Sequence, residues 1–138
     1  MSEVLSDEWR RKLIDTAIEV RKLAYAPYSN YAVGAALLTA SGNIYKGVNV
    51  ENAAYPSTIC AERAAVYNAV SAGERSFIAI AVATSNSGSP CGTCRQVLSE
   101  FGLDVRVILT DINGNLVEET TLDELLPGAF RAEQLSDN

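Results

Sequence analysis

The chain owns three cysteines and no histidine. Cys60 stands two residues before Glu62, and Cys91 and Cys94 close a Pro-Cys-Gly-Thr-Cys run further along. A metal ion that does hydrolytic work needs three protein ligands, a fourth position open to water and a nearby group that moves protons. These residues supply three thiols and one adjacent carboxylate.

Cys91 and Cys94 are i and i+3, so at the first turn of a helix both sulfurs reach a single ion. Cys60 must join them from a second helix start. A helix N-terminus carries roughly half a positive charge, which favours thiolate over thiol. Three thiolates around Zn²⁺ still leave a formal charge of −1, which makes the metal's water a poorer acid. Arg63, at i+3 from Cys60, and Arg95, next to Cys94, are candidates to donate to the sulfurs. Spacing favours Arg63.

Glu62 is too close in sequence to Cys60 for an ordinary chelate but well placed to hydrogen-bond the metal's water, so it reads as a base and not a ligand. A nearby dication favours its ionised form and a dry pocket its neutral form, which together predict a proton shuttle.

Other chemistries share parts of this pattern. Cys91 and Cys94 alone also fit a dithiol redox pair at a helix start. A structural zinc site needs four ligands, which here requires Glu62, an aspartate or another subunit.

The elements that must position these residues are legible from periodicity and punctuation. Apolar residues at helical spacing behind Ser6, Asp7 and Glu8 predict a capped helix to about Tyr25, stopped by Pro27. Val33–Thr39 and Ile44–Val50 read as a hairpin. Glu51–Ile59 has loop composition, and Cys60–Ala72 is an Ala-rich helix closed by Gly73. Phe77–Ala83 reads as a buried strand, Cys91–Glu100 as a helix, Val105–Thr110 and Leu116–Thr120 as strands around the Asn113-Gly114 turn signal, and Leu122–Leu126 as a helical turn. Strand-helix alternation in the middle implies parallel crossovers. The expected architecture is a three-layer α/β/α sandwich over one mixed five-stranded sheet, the first two strands antiparallel and the later ones parallel.

At 138 residues and 48% hydrophobic, residues 1–138 fit a single domain. A net charge of −6 with scattered Lys and Arg argues against nucleic acid as a partner. No apolar run approaches the ~20 residues needed to cross a bilayer, and the start of the chain lacks a signal-like apolar stretch. With an odd number of thiols, a reducing, cytoplasmic setting is expected.

Cys60-Ala61-Glu62 with Pro90-Cys91-Gly92-Thr93-Cys94 matches the zinc deaminase signature, in which His or Cys plus two Cys hold zinc. Around it, Tyr25-Ala26-Pro27-Tyr28-Ser29, Val33-Gly34-Ala35-Ala36, Asn49-Val50-Glu51-Asn52-Ala53-Ala54-Tyr55 and Glu124-Leu125-Leu126-Pro127-Gly128-Ala129-Phe130 resemble the small, three-cysteine class of cytidine deaminases. The resemblance runs from the first helix to Phe130. It implies one zinc per chain on Cys60, Cys91 and Cys94, Glu62 as proton shuttle, and Arg63 tempering the thiolates. Asn49 and Glu51 would hold the ribose hydroxyls, Tyr31 would line the base pocket, and the Ala61 backbone N–H would meet the base carbonyl. Tyr55 and Phe130 would complete the substrate contacts, Phe130 from a neighbouring subunit of a homotetramer with composite active sites.

The implied reaction is hydrolytic deamination of cytidine and 2′-deoxycytidine to uridine and 2′-deoxyuridine, a step of pyrimidine salvage. Many relatives carry Phe at the Tyr31 position and Asn where this chain has Ile59. A blasticidin S type deaminase shares the zinc motif, but its relatives lack the Glu found here at Glu51, which favours a free nucleoside. Tyr25 and Tyr28 read as ordinary core or interface aromatics.

Overall fold

The computed structural model describes residues 5–135. Its helices are α1 (Asp7–Arg21), α2 (Ala61–Ser71), α3 (Gly92–Ser99) and the single turn α4 (Leu122–Leu125), and its strands are β1 (Gly34–Thr39), β2 (Ile44–Val48), β3 (Phe77–Ala83), β4 (Arg106–Thr110) and β5 (Leu116–Thr121). The five strands form one mixed sheet in the order β2-β1-β3-β4-β5.

Alternation along the strands builds the two faces. Ala35 and Leu37 of β1, Ile80 and Val82 of β3, and Val107 and Leu109 of β4 pack with Ala65, Val66 and Ala69 of α2 and Leu98 of α3. The intervening Ala36, Leu38, Ala79, Ala81, Ala83 and Ile108 pack with Leu13, Ile14 and Ala17 of α1. The small residues on that second face let one helix cover several strands. These are the three layers expected.

The crossovers through α2 and α3 run β2, β3 and β4 in one direction, with β3 and β4 paired in parallel. The expectation that all later strands are parallel is corrected at β5, which pairs antiparallel to β4. The physical reason is connection length: a tight turn with Gly114 in the left-handed region joins β4 to β5, too short for a crossover. β1 lies between β2 and β3, antiparallel to both.

α1 also ends earlier than periodicity suggests. Ser6 caps it, its side chain accepting from the Trp9 N–H, but after Arg21 the backbone is drawn off. The Tyr25 N–H donates to the Asn49 carbonyl at 3.0 Å, and the Glu51 N–H donates to the Tyr25 carbonyl at 2.8 Å. The segment after β2 is likewise more ordered than loop composition implies. It holds a 3₁₀ turn at Tyr55–Ser57, and Val50 and Ile59 exchange two backbone bonds of 3.1 Å.

One glycine sets the depth of α2. A Cβ at Gly47 would collide with the Ala61 carbonyl oxygen and the Ala65 nitrogen. Only a bare backbone on β2 lets the first turn of α2 lie directly against the sheet.

Candidate metal centre and active site

The segments before α2 and α3 deliver the sulfurs to one place. Cys60 is the N-cap of α2 and Cys91 the N-cap of α3, and neither side chain caps its own helix. Ser, Thr, Asp or Asn usually occupy such positions to satisfy the free N–H groups; here a softer ligand stands instead. Cys94 follows within the first turn of α3 and is buried, while Cys60 is half-buried and Cys91 exposed.

The three sulfurs lie within 4.8 Å of one another. Cys60 and Cys91 are separated by 3.9 Å, and Cys91 and Cys94 by 3.5 Å. Tetrahedral zinc with Zn–S bonds of ~2.3 Å holds its sulfurs ~3.8 Å apart. The observed spacings fit that ion, and three soft donors select for it over magnesium or calcium.

Arg63 supplies the counter-charge, its Nη2 donating to the Cys60 sulfur at 3.3 Å. Cys60 is held at about 5: its hydrogen bond with Cys94 pulls it down most, the Arg63 bond and charge add to that, and burial opposes. Cys94 is pushed up by the same bond and by burial, so of this pair the half-exposed Cys60 ionises first. The buried Arg63 Nε has no hydrogen-bond partner among the described residues. Arg95 does something else: it donates to the Pro90 carbonyl (2.9 Å), the Leu125 carbonyl (2.7 Å) and Ser89 Oγ (2.8 Å). It braces the loop that leads into Cys91.

Glu62 is 6% exposed. Burial pushes its carboxyl up to about 7, the Cys60 charge adding to the effect, while its own backbone N–H and Arg63 oppose it. It lines a pocket of about 300 Å³ together with Cys60, Cys91, Ala61, Asn49, Glu51 and Tyr31. Of the other sequence-predicted residues, Cys94 and Arg63 do not line this pocket but join it through the sulfur cluster and the Cys60 sulfur, and Tyr55 and Phe130 do not line it at all. Tyr55 is 71% exposed and Phe130 53% exposed. Phe130 is held at the surface by Gln96, whose Nε2 donates to its carbonyl at 3.0 Å. Tyr25 and Tyr28 are exposed too, so they are not core residues.

Asn49 and Glu51 line the same pocket as Cys60 and Cys91. Asn49, nearly buried, accepts from the Val33 N–H at 2.9 Å and donates to the Tyr31 carbonyl at 2.8 Å. Each of its polar atoms retains capacity for one more bond. Glu51 accepts from the backbone N–H groups of Tyr28 (2.9 Å) and Ser29 (3.1 Å) and from the Ser29 hydroxyl. The Ser29 hydroxyl is the main reason its carboxyl lies below the usual range.

Sequence reasoning missed Ser29, Thr58, Thr84, Gly88 and Ser89 along the walls. They are small loop residues whose types carry no signal on their own. Ile59, a departure from the usual pattern, is a wall residue as well, and its two backbone bonds to Val50 tie the segment ahead of Cys60 to the one that carries Asn49 and Glu51.

This is an open three-thiolate site with an adjacent buried carboxylate, the construction of a zinc hydrolase and not of a closed structural site. Residues 7–110 match the family described as the cytidine and deoxycytidylate deaminase zinc-binding region, and the chain belongs to it. It is 53% identical over 128 residues to the cytidine deaminase of Sporosarcina psychrophila, covering 91% of this chain and 93% of that one. The fold matches the crystal structure of cytidine deaminase from Burkholderia pseudomallei with a TM-score of 0.81 at 48% identity, over 86% of this chain and 97% of the other. A blasticidin-S deaminase from Bacillus cereus is more distant, 36% identical over 126 residues, 84% of this chain and 88% of its own.

Proposed function

We propose that this chain hydrolyses the 4-amino group of cytidine and 2′-deoxycytidine, giving uridine or 2′-deoxyuridine and ammonia. The observation that carries this reading is one pocket lined by Glu62, Cys60 and Cys91, with Cys94 completing the sulfur cluster, and by Asn49 and Glu51. Cys60, Cys91 and Cys94 would hold the metal. Bound there, Zn²⁺ supplies Lewis acidity that makes water in its open position a nucleophile near neutral pH.

Glu62 takes one proton from the attacking water and places it on N3 so that C4 becomes electrophilic, then takes the second from the hydroxyl newly bonded to C4 and passes it to the departing amine. Burial and the adjacent Cys60 thiolate bring its carboxyl near neutrality, where one group both accepts and returns a proton. The Ala61 N–H, in the first turn of α2 and so without an intrahelical acceptor, meets the base carbonyl. Asn49 and Glu51 hold the sugar hydroxyls, and this positioning makes attack effectively intramolecular.

Among the described residues the pocket wall includes Glu51 and Glu62 and no Lys or Arg. A nucleotide's phosphate would meet negative charge without a cation to pair with, so the free nucleoside is the substrate within a family that also spans deoxycytidylate. The chain's greater likeness to cytidine deaminases than to a blasticidin-S deaminase supports the same choice. Tyr55 and Phe130, exposed outside their own chain's pocket, support assembly as a homotetramer in which a neighbour completes the site. No helix among the described residues is long and apolar enough to cross a membrane, and three metal-binding thiols suit a reducing cytoplasm.

The test is an absorbance assay across cytidine, 2′-deoxycytidine, deoxycytidylate, cytosine and blasticidin S. Turnover of both nucleosides with little of the others is expected; silence on both nucleosides would contradict the assignment.

A further inference from the structure

Tyr31 does more than offer a ring to the base. Its hydroxyl donates to Asn86 Oδ1 at 2.7 Å, joining the loop between α1 and β1 to the loop between β3 and α3. Asn86 Oδ1 also accepts from the Thr84 hydroxyl at 3.3 Å, and Thr84 Oγ1 accepts from the Gly88 N–H at 2.8 Å. Thr84 is buried at the end of β3, so this relay anchors the phenol to the sheet. Ser87, beside Asn86, is held at φ 60°, a left-handed conformation that a serine keeps only when its surroundings impose it.

The backbone of Tyr31 is tied at the opposite end. Its N–H donates to Ser29 Oγ at 3.0 Å, Ser29 in turn donates to Glu51, and its carbonyl accepts from Asn49. One residue therefore links Asn49 and Glu51 with the loop that runs on to Pro90 and Cys91.

Gly88 gives independent support. A Cβ there would collide with the Tyr31 hydroxyl, yet Gly88 is not among the glycines in the left-handed region. Its backbone would accept alanine, so what the small residue accommodates is the phenol oxygen.

We infer that the Tyr31 hydroxyl, through Asn86 and over Gly88, is a positioning group that fixes the pocket lip and sets nucleoside affinity. The inference rests on the nucleoside reading above. A phenylalanine keeps the ring but leaves Asn86 without this donor, so the two loops lose this link and the pocket lip loosens.

The test compares kcat and KM for cytidine, with zinc content, in Tyr31→Phe, Asn86→Leu, Asn86→Asp, Gly88→Ala and the Tyr31→Phe/Gly88→Ala double variant. Tyr31→Phe and Asn86→Leu are expected to raise KM roughly 2–10-fold with kcat within about twofold, the effect of one lost hydrogen bond. Asn86→Asp, which keeps the acceptor, should stay near wild type. Gly88→Ala should raise KM in the wild-type background and cost little in the Tyr31→Phe background, where no hydroxyl is displaced. An unchanged KM in Tyr31→Phe, or an equal Gly88→Ala penalty in both backgrounds, would overturn the inference. If a zinc-loaded wild type proved inactive on cytidine, the nucleoside reading would fall, and amide exchange over residues 84–91 would then decide the clasp: faster in Tyr31→Phe upholds it, unchanged overturns it.

Discussion

Arg63 reaches back one helical turn to donate to the sulfur of Cys60 at 3.3 Å. The charge of a three-thiolate site is thereby partly offset by a side chain from the same helix that carries the cysteine, alongside the N-termini of α2 and α3.

Removing that donor should show in both rate and pH. Arg63→Gln is expected to lower kcat/KM for cytidine about 10–100-fold, the usual effect of losing a partner of a metal ligand. Thiolates left richer in charge make the zinc water a weaker acid, so the acid limb of the profile should move to higher pH. Steady-state kinetics from about pH 5 to about pH 9, spanning the range where zinc water titrates, would check this.

Gly47→Ala places a methyl group against the Ala61 carbonyl and the Ala65 nitrogen. Overpacking of this kind costs about 1–3 kcal/mol. Because the displaced turn follows Cys60, zinc retention should fall with stability. Denaturant melts with and without zinc, together with metal content, would measure both.

Acid should destabilise the chain through carboxylates on its surface. Hydrogen bonds hold four of them below their ordinary range: Ser29 acts chiefly on Glu51, Ser41 on Glu74, the Asn115 N–H on Asp111 and Thr120 on Glu124. The unfolded chain takes up these protons first, so their contribution is complete above the unfolded values near about 4 and is lost as pH falls through the lower folded values. Thermal melts should show Tm falling from about pH 4.5 downward, with a shallower fall in Glu74→Gln.

Much of this was legible because the chemistry is local in sequence. Cys60 with Glu62 and Arg63, and Cys91 with Cys94, are fixed relative to each other by helical spacing, and both helix starts could be located from the loop residues ahead of them. The sheet's strands were visible as apolar runs. The antiparallel direction of β5 was readable from the Asn113-Gly114 turn signal, which marks a connection too short for a crossover; the expectation of parallel strands carried the preceding crossovers past it. Arg95 was a candidate for the sulfurs by adjacency alone; in the fold it points to Ser89, Pro90 and Leu125, a choice made by tertiary contacts. Thr84, Asn86 and Gly88 matter through what they meet across the pocket, and periodicity says nothing of that.

In the proposed mechanism Glu62 moves protons beside the metal and does not bind it. Metal analysis paired with a cytidine assay on wild type and Glu62→Gln tests it most directly. One zinc per chain is expected in both proteins, with a loss of activity of at least ~10²–10⁴-fold in the variant. Loss of zinc from Glu62→Gln, or near-wild-type turnover with zinc in place, would contradict it.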